Sequence, residues 1–203
     1  MKKYISVKKI KLMNIEISEV ANLPSRFGNF KVKAFKEIAK DGSKEHLAIY
    51  KEKLDETPIV RVHSECLTGD AIGSLKCDCR DQLEYALKLA DETNGMVIYL
   101  RQEGRNIGLL NKINAYSLQD KGLNTIEANH QLGFGADERT YEMVTYILHH
   151  FDIHKIRLLT NNPDKINSIS DIDIVNRVPI IMDTNQYNEE YINTKKDDMG
   201  HLF

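Results

Sequence analysis

Three cysteines carry the densest chemistry in the chain. Cys66, Cys77 and Cys79 lie in the stretch Cys66-Leu-Thr-Gly-Asp-Ala-Ile-Gly-Ser-Leu-Lys-Cys77-Asp-Cys79, and they are all the cysteines the chain has. Three thiolates gathered at one point repel one another unless a soft cation sits among them, and zinc is the default candidate. Structural zinc sites are closed by a fourth protein ligand, whereas catalytic sites use three and leave a position for water. A count of three points towards a catalytic zinc, one per chain. Two other readings stay open: buried, unmodified cysteines, and a structural zinc closed by His63 or His130. A disulfide fits least, because one cysteine would be left over and nothing marks the chain as secreted.

A second set of residues suits anions. Arg61, Arg101, Arg105, Arg139 and Lys165 stand in polar segments, and an arginine fork matches phosphate oxygens. Each alone could be a surface ion pair, but the net charge is only −2, from 28 basic and 30 acidic residues. No global positive field recruits nucleic acid. A local cluster holding a polyphosphate is the more economical reading.

The elements that must position these residues follow from periodicity. Residues 1–22 read as an N-terminal extension or strand, and residues 1–50 as short strands forming an antiparallel ribbon. Leu23 to Asn29 and Asp41-Gly-Ser read as turns, Phe30–Phe35 as an alternating strand, and Leu47–Tyr50 as another. Pro58–His63 is a buried-type strand that delivers the chain to Cys66. A helix follows Cys79, with Leu83, Ala86, Leu87 and Ala90 on one face and an end at Gly95. Met96–Leu100 is the next strand, and a helix beyond the Arg101–Gly108 loop carries Leu109, Ile113 and Tyr116 on one side up to Gly122. Thr125–Ala136 has no period and reads as an ordered loop. Asp137 is placed to cap a helix with the face Met143, Val144, Ile147, Leu148 and Phe151. Lys155–Thr160 and Ile172–Val175 read as strands, and Pro179–Met182 as a further one. A short helix begins near Lys165, and Asn188–Met199 is helical.

The expected architecture is α/β: one domain over residues 1–203, with a mixed sheet, flanking helices and a β-rich N-terminal part. Hydrophobic residues make up 41% and charged residues 29%, which suits a soluble domain with a sizeable core. The basic N-terminus is too often broken by lysine for a signal peptide, and no apolar run approaches a membrane span. The expectation is a cytoplasmic protein without nucleic-acid or membrane partners. Three strand ends carry polar clusters: Arg61–Glu65, Arg101–Gly108 and Thr160–Lys165. Ligands of α/β sheets sit beyond such ends, so the clusters should converge near the cysteines.

Five segments now resemble one family. They are Arg61-Val-His-Ser-Glu-Cys-Leu-Thr-Gly-Asp70 with Cys77-Asp-Cys79, Arg101-Gln-Glu-Gly-Arg-Asn-Ile-Gly-Leu-Leu-Asn111, Ala128 to Arg139, Arg157 to Lys165, and the terminal Met199-Gly-His-Leu. Their order and length resemble GTP cyclohydrolase II in its stand-alone form. The resemblance implies zinc- and Mg²⁺-assisted conversion of GTP to 2,5-diamino-6-ribosylamino-4(3H)-pyrimidinone 5′-phosphate, formate and pyrophosphate, at the start of riboflavin synthesis. It implies Cys66, Cys77 and Cys79 as zinc ligands. For GTP it implies Arg61, Val62, His63, Ser64, Glu65, Gln82, Glu103, Gly104, Arg105, Thr125, Thr160 and Lys165. Asp137 matches the family's proton acceptor, Arg139 its nucleophile towards the α-phosphate, and Tyr116 the tyrosine of deformylation. A homodimer is also implied. Protonated arginine is a poor nucleophile, so electrostatic clamping is the simpler role for Arg139. Two rivals stand beside this reading. A zinc-dependent nucleobase deaminase would use His63-Ser-Glu65, yet the spacing of Cys77 and Cys79 does not match. A nucleotide-binding regulator would carry zinc only structurally.

Overall fold

The computed structural model describes residues 13–39 and 42–203; the expectations for residues 1–12 and for Asp41 lie outside that range. An eight-stranded sheet runs through the molecule in the order β1-β3-β4-β6-β5-β7-β8, with β2 also paired to β3. Strands β1 (Asn14–Ile17), β2 (Ala21–Ser25), β3 (Gly28–Ala39) and β4 (Gly42–Tyr50) are antiparallel and form the expected ribbon. The Leu23 to Asn29 turn is narrower than the sequence suggests. Leu23, Pro24 and Ser25 pair with Phe30, Asn29 and Gly28, which leaves Arg26 and Phe27 as the turn. Pro24 is tolerated because β2 pairs on one side only.

The other half is parallel. Strands β5 (Ile59–Ser64), β6 (Met96–Leu100), β7 (Lys155–Leu159) and β8 (Asp173–Val178) pair in the order β6-β5-β7-β8. Side chains alternate across them. Val60, Val62, Met96, Ile98, Leu100, Ile156 and Leu158 pack on one face with Met143, Val144, Ile147 and Leu148 of α5 (Glu142–His150). Ile59, Val97 and Leu159 pack on the other with Ala86 and Ala90 of α2 (Cys79–Glu92). Buried area on both faces supplies the main stabilising term of such a domain.

The connections create a crevice. From β5 the chain crosses to β6 on one side, then returns past β5 to β7 on the other. Ligands of open α/β sheets bind where strand order reverses in this way. Pairing of β5 with β7 covers only Ile59 with Arg157 and Val60 with Leu158, so their carboxyl ends part. The remaining helices of the described residues gather there: α1 (Leu67–Asp70), α3 (Gly108–Gln119), α4 (Thr125–Gln131), α6 (Pro163–Ser168) and α7 (Glu189–Asp197). No helix among the described residues is long and apolar enough to cross a membrane.

Several elements differ from expectation. Thr125–Gln131 is helical, started by a capping box in which Asn124 Oδ1 accepts from Ile126 N and Glu127 N while Glu127 accepts from Asn124 N. Helix α5 begins at Glu142 with Tyr141 as N-cap, so Asp137 caps nothing. Helix α6 starts two residues before Lys165, capped by Asn162 with Pro163 at its first turn. Pro179–Met182 forms no strand; Ile180 N bonds to Asn161 Oδ1 instead of a ladder. On α3 the expected side is kept only at Tyr116, which lines the cavity. Leu109 and Ile113 are exposed, while Lys112 and Ala115 are buried.

Candidate active site

The three cysteine sulfurs meet. Their Sγ atoms all lie within 4.8 Å of one another, with Cys66 and Cys77 3.6 Å apart. Zinc–sulfur bonds of ~2.3 Å at a tetrahedral angle would put ligand sulfurs about 3.8 Å apart, so the spacing suits the ion. Ionisation suits it too. The Cys77 and Cys79 thiols and the Lys112 ammonium stabilise Cys66 as a thiolate, and its pKa falls. Sharing that charge with Cys66 pushes Cys77 up to about 11, and Cys79 also rises. Only one sulfur therefore ionises readily unless a cation joins all three.

Gly69 in α1 makes room for the cluster. A Cβ there would lie 2.8 Å from Cys77 Sγ and 3.0 Å from Cys66 Sγ. No fourth cysteine, histidine or carboxylate joins the group among the described residues. His63 Nε2 faces the Asp70 carboxylate at 3.1 Å, and His130 is exposed. Neither histidine closes the site, and the histidine of the deaminase pattern is not with the cysteines. The donor set fits a three-thiolate metal centre with an open position.

A cavity of about 330 Å³ opens beside the cysteines, within the usual range for small-molecule sites. It collects Arg61, His63, Ser64 and Glu65 from the end of β5, and Gln82 from α2. Glu103, Gly104 and Arg105 reach it from the β6–α3 loop, Tyr116 from α3 and Thr125 from α4. Arg139, Thr160 and Lys165 complete the set. Two expected residues stand behind this wall. Val62 is fully buried, and its carbonyl accepts from Lys165 Nζ at 2.7 Å. Asp137 is bonded to Arg139 Nε at 2.8 and 3.0 Å. Arg101 leaves the expected polyphosphate cluster altogether: it is half exposed and pairs with Glu65 at 2.8 Å.

The cations crowd the parting of β5 and β7. Arg61 donates to Leu159 O at 3.0 Å and to Gln82 Oε1 at 2.5 Å. Burial lowers its pKa to about 10, and burial with Arg61 and Arg139 nearby pulls Lys165 well below the ordinary lysine value. Burial also opposes charge on Arg139, yet its hydrogen bonds to Asp137 hold its pKa above normal. Asp137 correspondingly stays below the usual carboxylate range despite burial. Asp137 neutralises Arg139, and a polyphosphate would offset the remaining positive charge of Arg61, Arg105 and Lys165.

The loop after β6 is held in an uncommon conformation. Gly104, Arg105 and Asn106 all have left-handed φ of 61°, 59° and 75°. For the two non-glycine residues this costs about 1–3 kcal/mol each and persists only where neighbours enforce it. Here Arg105 Nη1 donates to Ala136 O, Asn106 Nδ2 to Glu138 O, and Glu138 N to Arg105 O. The same bonds fix the 136–138 segment that carries Asp137.

Sequence reasoning missed Lys112, Asp70 and Lys195. Lys112 Nζ lies 3.0 Å from Cys66 Sγ and 2.8 Å from Glu103 Oε1, while Glu103 Oε2 accepts from Leu67 N at 2.6 Å. Asp70 accepts from Cys66 N at 3.0 Å and Tyr99 OH at 2.7 Å. Lys195 is paired with Asp78, between two of the cysteines. Spacing offered one clue: Lys112 is four residues before Tyr116, on the same helical face.

The fold and the cavity are those of an α/β nucleotide-processing enzyme, with three cysteines that could hold a metal ion. The GTP cyclohydrolase II family model matches residues 16–179. The protein called GTP cyclohydrolase-2 of Campylobacter hominis is 66% identical over 190 residues, covering 94% of this chain and 96% of the relative. Its counterpart in Campylobacter fetus subsp. fetus is 62% identical, covering 94% and 97%. That of Helicobacter hepaticus is 55% identical, covering 94% and 100%. The chain belongs to the GTP cyclohydrolase II family.

Proposed function

We propose that the protein hydrolyses GTP at the guanine imidazole ring, releasing formate and pyrophosphate and leaving the diaminopyrimidinone nucleotide that opens riboflavin synthesis. The observation that carries this is the meeting of three cysteine sulfurs and a cluster of buried cations in one cavity. The sulfurs suit the end of the ligand where water must be activated, and the cations suit the phosphates.

Cys66, Cys77 and Cys79 would hold zinc, which when bound supplies a water acidic enough to yield hydroxide near neutral pH. Lys112 offsets the negative charge of the thiolates from 3.0 Å away. Tyr116 is on the same side as the cysteines, with its hydroxyl 3.4 Å from Thr68 Oγ1. Burial pushes its pKa up to about 12, so the phenol keeps its proton and serves as donor when the formamide is cleaved. Arg61, Arg105, Arg139 and Lys165 bind the triphosphate, together with Mg²⁺ carried by the substrate. Ser64, Glu65, Gln82, Glu103, Gly104, Thr125 and Thr160 complete the walls of the nucleotide site, with His63 beside them and Val62 anchoring Lys165.

Arg139 acts here by charge. A guanidinium whose pKa stands above normal is a poor nucleophile, whereas its fork is preorganised for a phosphate. Asp137 holds that fork through Arg139 and takes protons only when Arg139 turns to the substrate.

A homodimer and a cytoplasmic location belong to the same proposal. Leu110 is 75% exposed and lies with exposed Leu109 and Ile113 on α3, which offers an apolar face to a second copy. Sedimentation should give twice the chain mass. The activity is tested by incubating the zinc-loaded protein with GTP and Mg²⁺ and weighing the products. Loss of the formyl carbon together with pyrophosphate supports the reading; ammonia release, or unchanged GTP, refutes it.

A further inference from the structure

The C-terminal residues turn back onto the site. Lys195 Nζ donates to Asp78 Oδ1 at 2.7 Å, with side chains only 10% and 3% exposed. Asp78 separates Cys77 from Cys79, and its other oxygen accepts from Gln82 Nε2 at 2.6 Å. The last turn of α7 is therefore fastened to the cysteine loop through one buried ion pair. Beyond α7 the chain has no regular structure, yet it is tied down. His201 N donates to Lys195 O at 3.0 Å, Leu202 N to Asn161 O at 2.8 Å, and Arg177 Nη1 to Leu202 O at 3.2 Å.

Tied this way, Met199, His201 and Phe203 line the same cavity as the cysteines and the cations. The rings of His201 and Phe203 stack, 6.1 Å between centroids and 21° between planes. Phe203 nevertheless stays 42% exposed. An aromatic face left open in a nucleotide-sized cavity suits a flat purine, because π-faces accept any base without sequence-like selection. His201 belongs to the polar side. Burial and the nearby Lys195, Arg139, Lys165 and Arg105 push its pKa down to about 3, so it offers a neutral imidazole amid four cations. A neutral ring there can donate one N–H to an anionic oxygen without adding to the repulsion.

We propose that Glu189–Phe203 forms a wall of the nucleotide cavity, keyed to the cysteine loop by Lys195 and Asp78, and that His201 and Phe203 contact the bound nucleotide. This rests on the reading of the cavity as a GTP site. The wall ties nucleotide binding to the order of the cysteine loop, because Lys195 bonds Asp78 through its ammonium and His201 through its carbonyl. A nucleotide seated against the wall protects the terminus, and a chain lacking the wall loses affinity without losing the metal.

Three measurements on zinc-loaded protein test it: calorimetric titration with GTP, elemental analysis of zinc, and carboxypeptidase release of Phe203 with and without GTP. His201→Ala, and separately deletion of residues 200–203, should raise the Kd for GTP at least tenfold with zinc still at one per chain. In the unaltered protein, GTP should slow release of Phe203 at least tenfold. A Kd within twofold of the unaltered protein's in both variants overturns the wall, as does release of Phe203 that GTP leaves unchanged. Those outcomes leave the GTP reading standing. If the unaltered protein itself binds no GTP, the cavity reading falls and the wall falls with it.

Discussion

At the scale of single residues, Tyr116 separates two chemical stages. Ring opening needs an activated water and a proton route, whereas deformylation needs a second proton delivered to the amide. A buried phenol with a pKa near about 12 keeps its proton at neutral pH. Phenylalanine keeps the ring and loses the donor. Tyr116→Phe should still consume GTP and accumulate a formylated, ring-opened nucleotide, resolved from the final product by mass. Formate release at the unaltered rate would reduce Tyr116 to a packing residue. Lys165 makes a different prediction. Burial, Arg61 and Arg139 depress its pKa in the free protein, and a bound triphosphate opposes those causes. Its pKa must therefore rise on binding, and GTP binding takes up protons at pH values between the free-state and the bound-state pKa. Calorimetry in buffers of different ionisation enthalpy reads that uptake. Lys165→Ala should remove much of it and weaken GTP binding at least tenfold while changing guanosine binding far less. Equal losses for both ligands would place Lys165 away from the phosphates.

At the scale of elements, helix α1 does its work through a missing side chain. Gly69 has ordinary backbone angles, so alanine there is opposed by the cysteines that its Cβ would meet: Cys77 Sγ at 2.8 Å, and Cys66 Sγ and Cys79 Cβ at 3.0 Å. Gly69→Ala should keep the fold and lower zinc affinity by about 10–100-fold, the range seen when the surroundings of metal ligands are disturbed. Chelator competition measures this; an affinity within twofold of normal would mean that the cysteines move aside freely. Neighbouring elements show where sequence patterns mislead. Helix α4 buries Ala128 and Asn129 rather than an apolar stripe, so periodicity fails, although Asn124 and Glu127 spelled out its capping box. Helix α3 carries its visible apolar residues on the outside, because the buried side is organised by the charge of Lys112 against Cys66 and Glu103. Hydrophobicity does not reveal a lysine that is buried for electrostatic reasons. Asp137 had the composition of a helix cap, but α5 starts five residues later, at Glu142, and the carboxylate bonds Arg139 instead.

At the scale of the whole molecule, the strands were legible because Ile59–Ser64, Met96–Leu100 and Lys155–Leu159 are short apolar runs ending in polar clusters. Their order was not legible. The place of β5 between β6 and β7 depends on long-range pairing that no local pattern encodes, and the parting of β5 from β7 makes the crevice. The grouping of the three cysteines was suggested by their spacing, although buried unmodified thiols and a structural zinc fitted that spacing too. Its environment was hidden, because Lys112, Asp70 and Lys195 reach it from 46 positions away, from four, and through Asp78 from 117. The central claim is that this three-sulfur centre drives release of the C8 carbon of GTP. The most direct measurement is formate released from GTP labelled with ¹³C at C8, as zinc is added back to metal-free protein. The account predicts labelled formate rising linearly and breaking at one zinc per chain, with no rise in a folded Cys77→Ser variant. Formate release that ignores zinc, or that survives intact in Cys77→Ser, would contradict it.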